Sequence, residues 1–178
     1  MSETLRLVQL GSTADYSIQK LARRLSERLI EYKIEISEPL ETPKMAFDST
    51  RNQYHSTRIL ATLEEYAEST GADHVLGVAH FDLFVPGMNF VFGEARCPGS
   101  AAVISTYRLK TNHDGPPDLL GKRSVKEAVH EIGHMLGLKH CSSASCVMHF
   151  SERLADTDRK EENFCSACER TVKLVEIE

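Results

Sequence analysis

The sequence predicts a mixed α/β fold, a sheet covered by helices, and two observations carry that expectation. Strand-like and helix-like segments follow one another as strand, helix, strand, helix, strand, an order that argues for a sheet with helices packed on it. The chain has 178 residues, 41% hydrophobic and 26% charged. That suits one domain with a real core and leaves no room for a large second one.

The elements are read in order. Residues 5–10 form a first strand. Residues 14–32 form an amphipathic helix, with Ile18, Leu21, Leu25 and Leu29 at helical spacing. Residues 33–40 alternate and read as a strand. Proline, aspartate, serine and asparagine between 43 and 53 mark a loop. Residues 56–69 form a second helix, with Ile59, Leu63 and Tyr66 inward and Gly71 as its stop. Residues 74–84 form a strand, closed by the turn at Pro86-Gly87. Residues 90–96 and 101–109 are two further strands, connected through Cys97-Pro98-Gly99. Residues 113–117 form a loop before a third helical pattern. Residues 141–168 are irregular, and 171–177 make a short strand or helix. No internal repeat is present.

Composition excludes several function classes. No run approaches ~18 apolar residues, so no transmembrane helix is expected. Residues Met1-Ser2-Glu3-Thr4 lead straight into a strand, which predicts no signal peptide, no propeptide and a cytoplasmic location. The net charge of −5 disfavours polyanion binding. Lys20, Arg23, Arg24 and Arg28 share a helix with Glu27 and Glu31 and read as a solvated face.

The most informative stretch is residues 130–140, which read His130-Glu131-Ile132-Gly133-His134-Met135-Leu136-Gly137-Leu138-Lys139-His140. Ahead of it, Ser124-x-x-Glu127 has the form of a capping box and predicts the helix start. Val125, Val129, Ile132 and Leu136 then form one apolar stripe at roughly 100° per residue. His130 and His134 lie on the opposite face. Residues at i and i+4 stack one turn apart, so both imidazoles can reach one ion. Glu131 is rotated off the ligand face, where it can flank a metal and accept a proton. Gly137 ends the helix in the left-handed conformation, and the chain reverses to return His140 as third ligand. Three histidines leave a fourth tetrahedral position open, the catalytic rather than the structural pattern. His-Glu-x-x-His-x-x-Gly-x-x-His is the extended zinc signature of the metzincin metallopeptidases.

Five cysteines follow a separate logic. Cys141-x4-Cys146 and Cys165-x2-Cys168 have the spacing of a closed, structural four-cysteine zinc site. Two disulfides, or a redox Cys-x-x-Cys, are the competing readings. The lack of a secretory signal and of a thioredoxin-like setting argues for zinc, which would stabilise a segment with little core of its own. Cys97 is left over and reads as a free, partly buried thiol.

With both clusters in view, residues 124–168 resemble the archaemetzincins. In that family a cysteine follows the third histidine at once, and the rest run Cys-x4-Cys-x-Met…Cys-x2-Cys. Cys141, Cys146, Met148, Cys165 and Cys168 match that pattern. The resemblance implies a metzincin-like fold with a twisted, mostly parallel sheet. It divides residues 1–178 into an upper subdomain, 1–137, and a small zinc-tied lower one, 138–178. It implies two zincs, one catalytic and one structural, with Glu131 as general base and Met148 as the Met-turn residue beneath the histidines. Some metzincins place a tyrosine two residues past that methionine; Phe150 stands there. Tyr107 and His113 are weak candidates to stabilise an oxyanion in its stead.

The predicted function is therefore peptide-bond hydrolysis. Zinc lowers the pKa of a bound water towards ~7, and Glu131 takes its proton. The substrate is a peptide or protein, laid against the edge strand 90–96. No nucleic-acid or membrane partner is expected, and the chain reads as a monomer. The alternatives are a zinc-stabilised binding or scaffold protein and a non-peptide zinc amidohydrolase. No clamp for a peptide terminus is visible.

Overall fold

The computed structural model describes residues 3–12, 16–111 and 116–175, with side chains through residue 173. Three strands carry apolar residues on both faces. They are β1 (Thr4–Gln9), β5 (His74–Ala79) and β8 (Ala101–Ser105). Such near-continuous apolar runs belong to parallel strands covered on both sides. Leu5, Leu7, Leu76, Val78, Ala102 and Ile104 face one core. Val8, Val75, Ala79, Ala101 and Val103 face the other.

These strands form a five-stranded sheet in the order β2-β1-β5-β8-β7. β2 spans Lys33–Ile36 and β7 spans Gly93–Ala95. β7 alone runs antiparallel, pairing Gly93 with Ile104 and Ala95 with Ala102. The predicted mostly parallel sheet is thus observed, and the 90–96 segment supplies its edge, though shortened.

Helices α1 (Ile18–Ser26) and α3 (Leu119–Met135) cover the first core, and α2 (Ser56–Thr70) covers the second. Gly77 permits the close approach of α2, because a Cβ there would lie 2.7 Å from Leu63 Cδ1. Ser17 caps α1. Gly71 ends α2 as predicted and does so at φ +65°, the left-handed conformation glycine adopts after a helix.

Several expected boundaries move. Among the described residues of the helix read over 14–32, Ile18–Ser26 alone is regular, and Ile30 is 81% exposed. The strand read over 74–84 breaks into β5 and β6 (Leu83–Phe84). The loop read over 43–53 holds a 3-10 turn at Lys44–Ala46, β3 (Phe47–Asp48) and the first residue of β4 (Gln53–His55). β3, β4 and β6 form a second, three-stranded sheet. Strands this short leave no alternation to read. Their turn is set by the Asp48 carboxylate, which accepts from Thr50 N at 2.9 Å and Arg51 N at 3.2 Å.

The largest correction concerns α3. It begins at Leu119, not after Ser124. Ser124 Oγ donates back to Leu120 O at 2.7 Å inside the helix, the intrahelical alternative to a cap. Glu127 is buried against Lys160 and caps nothing. Beyond Gly137, the segment read as irregular contains α4 (Leu154–Arg159), and α5 (Ser166–Val175) follows. His113 and the rest of residues 113–115 of the predicted 113–117 loop, with the chain beyond residue 175, lie outside the described residues.

Candidate active site and cysteine cluster

The end of α3 sets the geometry. Leu136 closes the helix and Gly137 follows at φ +88°. Leu138 N donates to Gly133 O and Gly137 N to His134 O, each at 2.9 Å. This pair of bonds is the Schellman reversal that glycine makes accessible. It carries the chain back so that the ligand atoms of His130, His134 and His140 lie within 4.8 Å of one another.

Backbone carbonyls aim two of the three rings. His130 Nδ1 donates to Val147 O at 2.8 Å, and His134 Nδ1 to Leu138 O at 2.7 Å. Both Nε2 lone pairs then face inward, 3.2 Å apart. Two nitrogens bound tetrahedrally to one zinc at ~2.0–2.1 Å would sit ~3.3 Å apart, so the pair fits that ion. Burial lowers the pKa of all three histidines, most of all His130. Neutral imidazoles are what a metal requires. The Phe150 ring packs on His140, with centroids 5.0 Å apart.

Glu131 is buried and borders the same cavity of about 670 Å³. Burial pushes its carboxyl well above the usual range; Glu127 and Glu94 push the same way, and Lys160 opposes them. The cavity also meets Met88, Phe90 and Phe92 from the strap before β7. Met148 is fully buried below α3, where a side chain on Gly133 would collide with its sulfur. Gly133 therefore lets Met148 lie against the helix between the two histidines.

The four cysteines meet as a second cluster, with Cys141 beside Cys165 and Cys146 beside Cys168, each pair of sulfurs 3.8 Å apart. A disulfide needs ~2.05 Å, whereas tetrahedral zinc with ~2.3 Å bonds places sulfurs ~3.8 Å apart. Cys165 N also donates to Cys146 Sγ at 3.3 Å. Backbone N–H groups, Cys168's first, hold the Cys165 thiol down at about 7, while burial pushes Cys146 and Cys168 up.

A family model, peptidase family M54, matches residues 10–174. The chain belongs to peptidase family M54. Archaemetzincin from Methanopyrus kandleri is 42% identical over 167 residues, covering 92% of this chain and 87% of its own. The crystal structure of M. kandleri archaemetzincin superposes at a TM-score of 0.86 with 37% identity, covering 99% of this chain and 96% of that one. Archaemetzincin from Archaeoglobus fulgidus, crystallised with malonate, gives 0.82 at 38% identity, covering 94% and 99% respectively. The resemblance read from residues 124–168 is confirmed. This M54 member is a zinc-dependent metallopeptidase whose substrates are peptides or proteins, and the family favours that reading over a binding-only protein or a non-peptide hydrolase.

Other residues singled out in the sequence fall elsewhere in this M54 chain. Tyr107 is 49% exposed and is not among the residues bordering the cavity. Cys97 is exposed rather than partly buried; it lies at the cavity rim, with its sulfur 3.5 Å from Leu138 O. The sequence reading missed Gly93, Glu127 and Lys160. Glu127 alone left a trace: it stands three residues before His130 and seven before His134, on the ligand stripe. No helix among the described residues is long and apolar enough to cross a membrane.

Proposed function

We propose that His130, His134 and His140 hold the catalytic zinc of this metallopeptidase and that Glu131 is its general base. The 3.2 Å approach of the His130 and His134 Nε2 atoms carries the assignment. Bound there, zinc would polarise the scissile carbonyl and make water a competent nucleophile at neutral pH.

The chain's own groups do the rest. Val147 O and Leu138 O fix the His130 and His134 rings before anything binds. The Glu131 carboxylate takes a proton from the attacking water and returns it to the leaving nitrogen. The apolar strap side chains and Phe150 exclude bulk water. β7 is an edge strand beside the cavity, so an extended peptide can add to its free side through backbone hydrogen bonds.

Cys141, Cys146, Cys165 and Cys168 hold a second, structural zinc, giving two per chain. Met148 is the Met-turn residue. Gly137 divides one metallopeptidase domain into an upper part, residues 1–137, and a lower part, 138–178. The chain acts as a monomer, without nucleic acid or membrane.

The deciding experiment compares wild type with Glu131→Gln for metal content and for hydrolysis of a fluorogenic peptide library. Unchanged zinc with turnover reduced by ~10²–10⁴-fold is expected. Undiminished hydrolysis by the variant would sink the base assignment.

A further inference from the structure

Glu127 poses a problem for the site as assigned. It stands on the ligand stripe of α3, one turn ahead of His130, and borders the same cavity as Glu131 and the three histidines. A carboxylate there has the chemistry of a zinc ligand. Glu127 also pushes the Glu131 carboxyl up.

The fold answers this from the end of α4. The Lys160 side chain is fully buried, at 0% exposure, and its ammonium lies 3.1 Å from Glu127 Oε1. Thr157 Oγ1 donates to the same oxygen at 2.9 Å. Lys160 Nζ also reaches His149 O at 3.4 Å, next to Met148. A lysine is almost never fully buried unless paired, and the partner of this one is Glu127.

We propose that Lys160 and Glu127 are positioning residues: the Lys160 ammonium holds the Glu127 carboxylate away from the histidine cluster, leaving Glu131 as the carboxylate that acts there. The inference rests on the assignment of the histidines as zinc ligands. It predicts that removing Lys160 releases Glu127 onto the metal, and that removing both charges undoes the damage. A mere clamp between α3 and α4 would behave otherwise, since the double variant lacks the ion pair as completely as the single one.

The test compares full-length, zinc-loaded wild type, Lys160→Met and the double variant Glu127→Gln/Lys160→Met. Zinc affinity is read by competition with a chelator, and kcat and KM on one fluorogenic peptide that wild type cleaves. In Lys160→Met, kcat falls more than about tenfold while KM barely moves, and zinc is held more tightly. In the double variant kcat stays within about tenfold of wild type and zinc affinity relaxes. A double variant more than about tenfold down overturns the inference, as does unchanged zinc affinity or kcat in Lys160→Met. If Lys160→Met does not fold, the double variant decides alone on the same threshold. A wild type without zinc at the histidines, or an active Glu131→Gln, sinks the underlying assignment. With both intact, failure of the double variant sinks only this inference.

Discussion

Gly93 and Glu131 are fitted to each other: a Cβ on Gly93 would lie 2.7 Å from Glu131 Oε1 and 2.8 Å from Val103 O. The edge strand thus passes directly over the proposed base, with no room for a methyl group between them. One of these neighbours is backbone and cannot swing away. Gly93→Ala should cost ~1–3 kcal/mol of stability by overpacking and lower kcat by about tenfold as Glu131 is displaced. Thermal denaturation and steady-state kinetics, with zinc content as control, check both. A fully active Gly93→Ala would show that the contact does not set the carboxylate's position.

Gly137 makes the turn that returns His140. At φ +88° any L side chain is strained, by ~1–2 kcal/mol. Gly137→Ala should lose about that much stability, and its zinc affinity should fall because His140 and Leu138 O both depend on the turn. Denaturant unfolding and chelator competition measure the two effects.

The sulfur spacing of 3.8 Å in both cysteine pairs predicts a metal and no disulfide. Wild type should carry two zincs, and Cys165→Ser should keep one, with a lower Tm. Thiol titration after chelation should find all five cysteines reactive. One zinc in wild type, with free thiols, would defeat the structural site.

The three histidines give the metal-free chain a pH dependence whose sign follows from their surroundings. Burial lowers the folded-state pKa of His130 well below its ordinary value, and lowers His134 and His140 too. The unfolded chain protonates these rings at ~6.5, before the folded chain does. Their contribution is therefore present above ~6.5 and is lost as pH falls below it. Glu131 pulls the other way, because burial raises its carboxyl and the folded chain binds that proton before the unfolded chain does. The histidine effect is therefore read in Glu131→Gln: the Tm of that chelator-treated variant should drop between pH ~7.5 and ~5.5. A Tm that rises over that interval would contradict the burial.

The histidine cluster was legible in the primary structure. His130, Glu131, His134, Gly137 and His140 fall within eleven consecutive residues, so helix periodicity and one glycine reversal specify their geometry locally. The cysteine spacing is nearly as local, and the apolar strands announce a doubly covered sheet because burial on both faces demands it. The surroundings of the histidines were settled by folding. Ser124 and Glu127 have the local form of a helix start, yet Glu127 is taken by Lys160 from the end of α4. Gly93 reads as one more strand residue until Glu131 is folded against it. The small second sheet is built of strands too short to show a period. Each of these depends on groups distant in the chain that meet only when the core closes, and such meetings leave no spacing behind to be read.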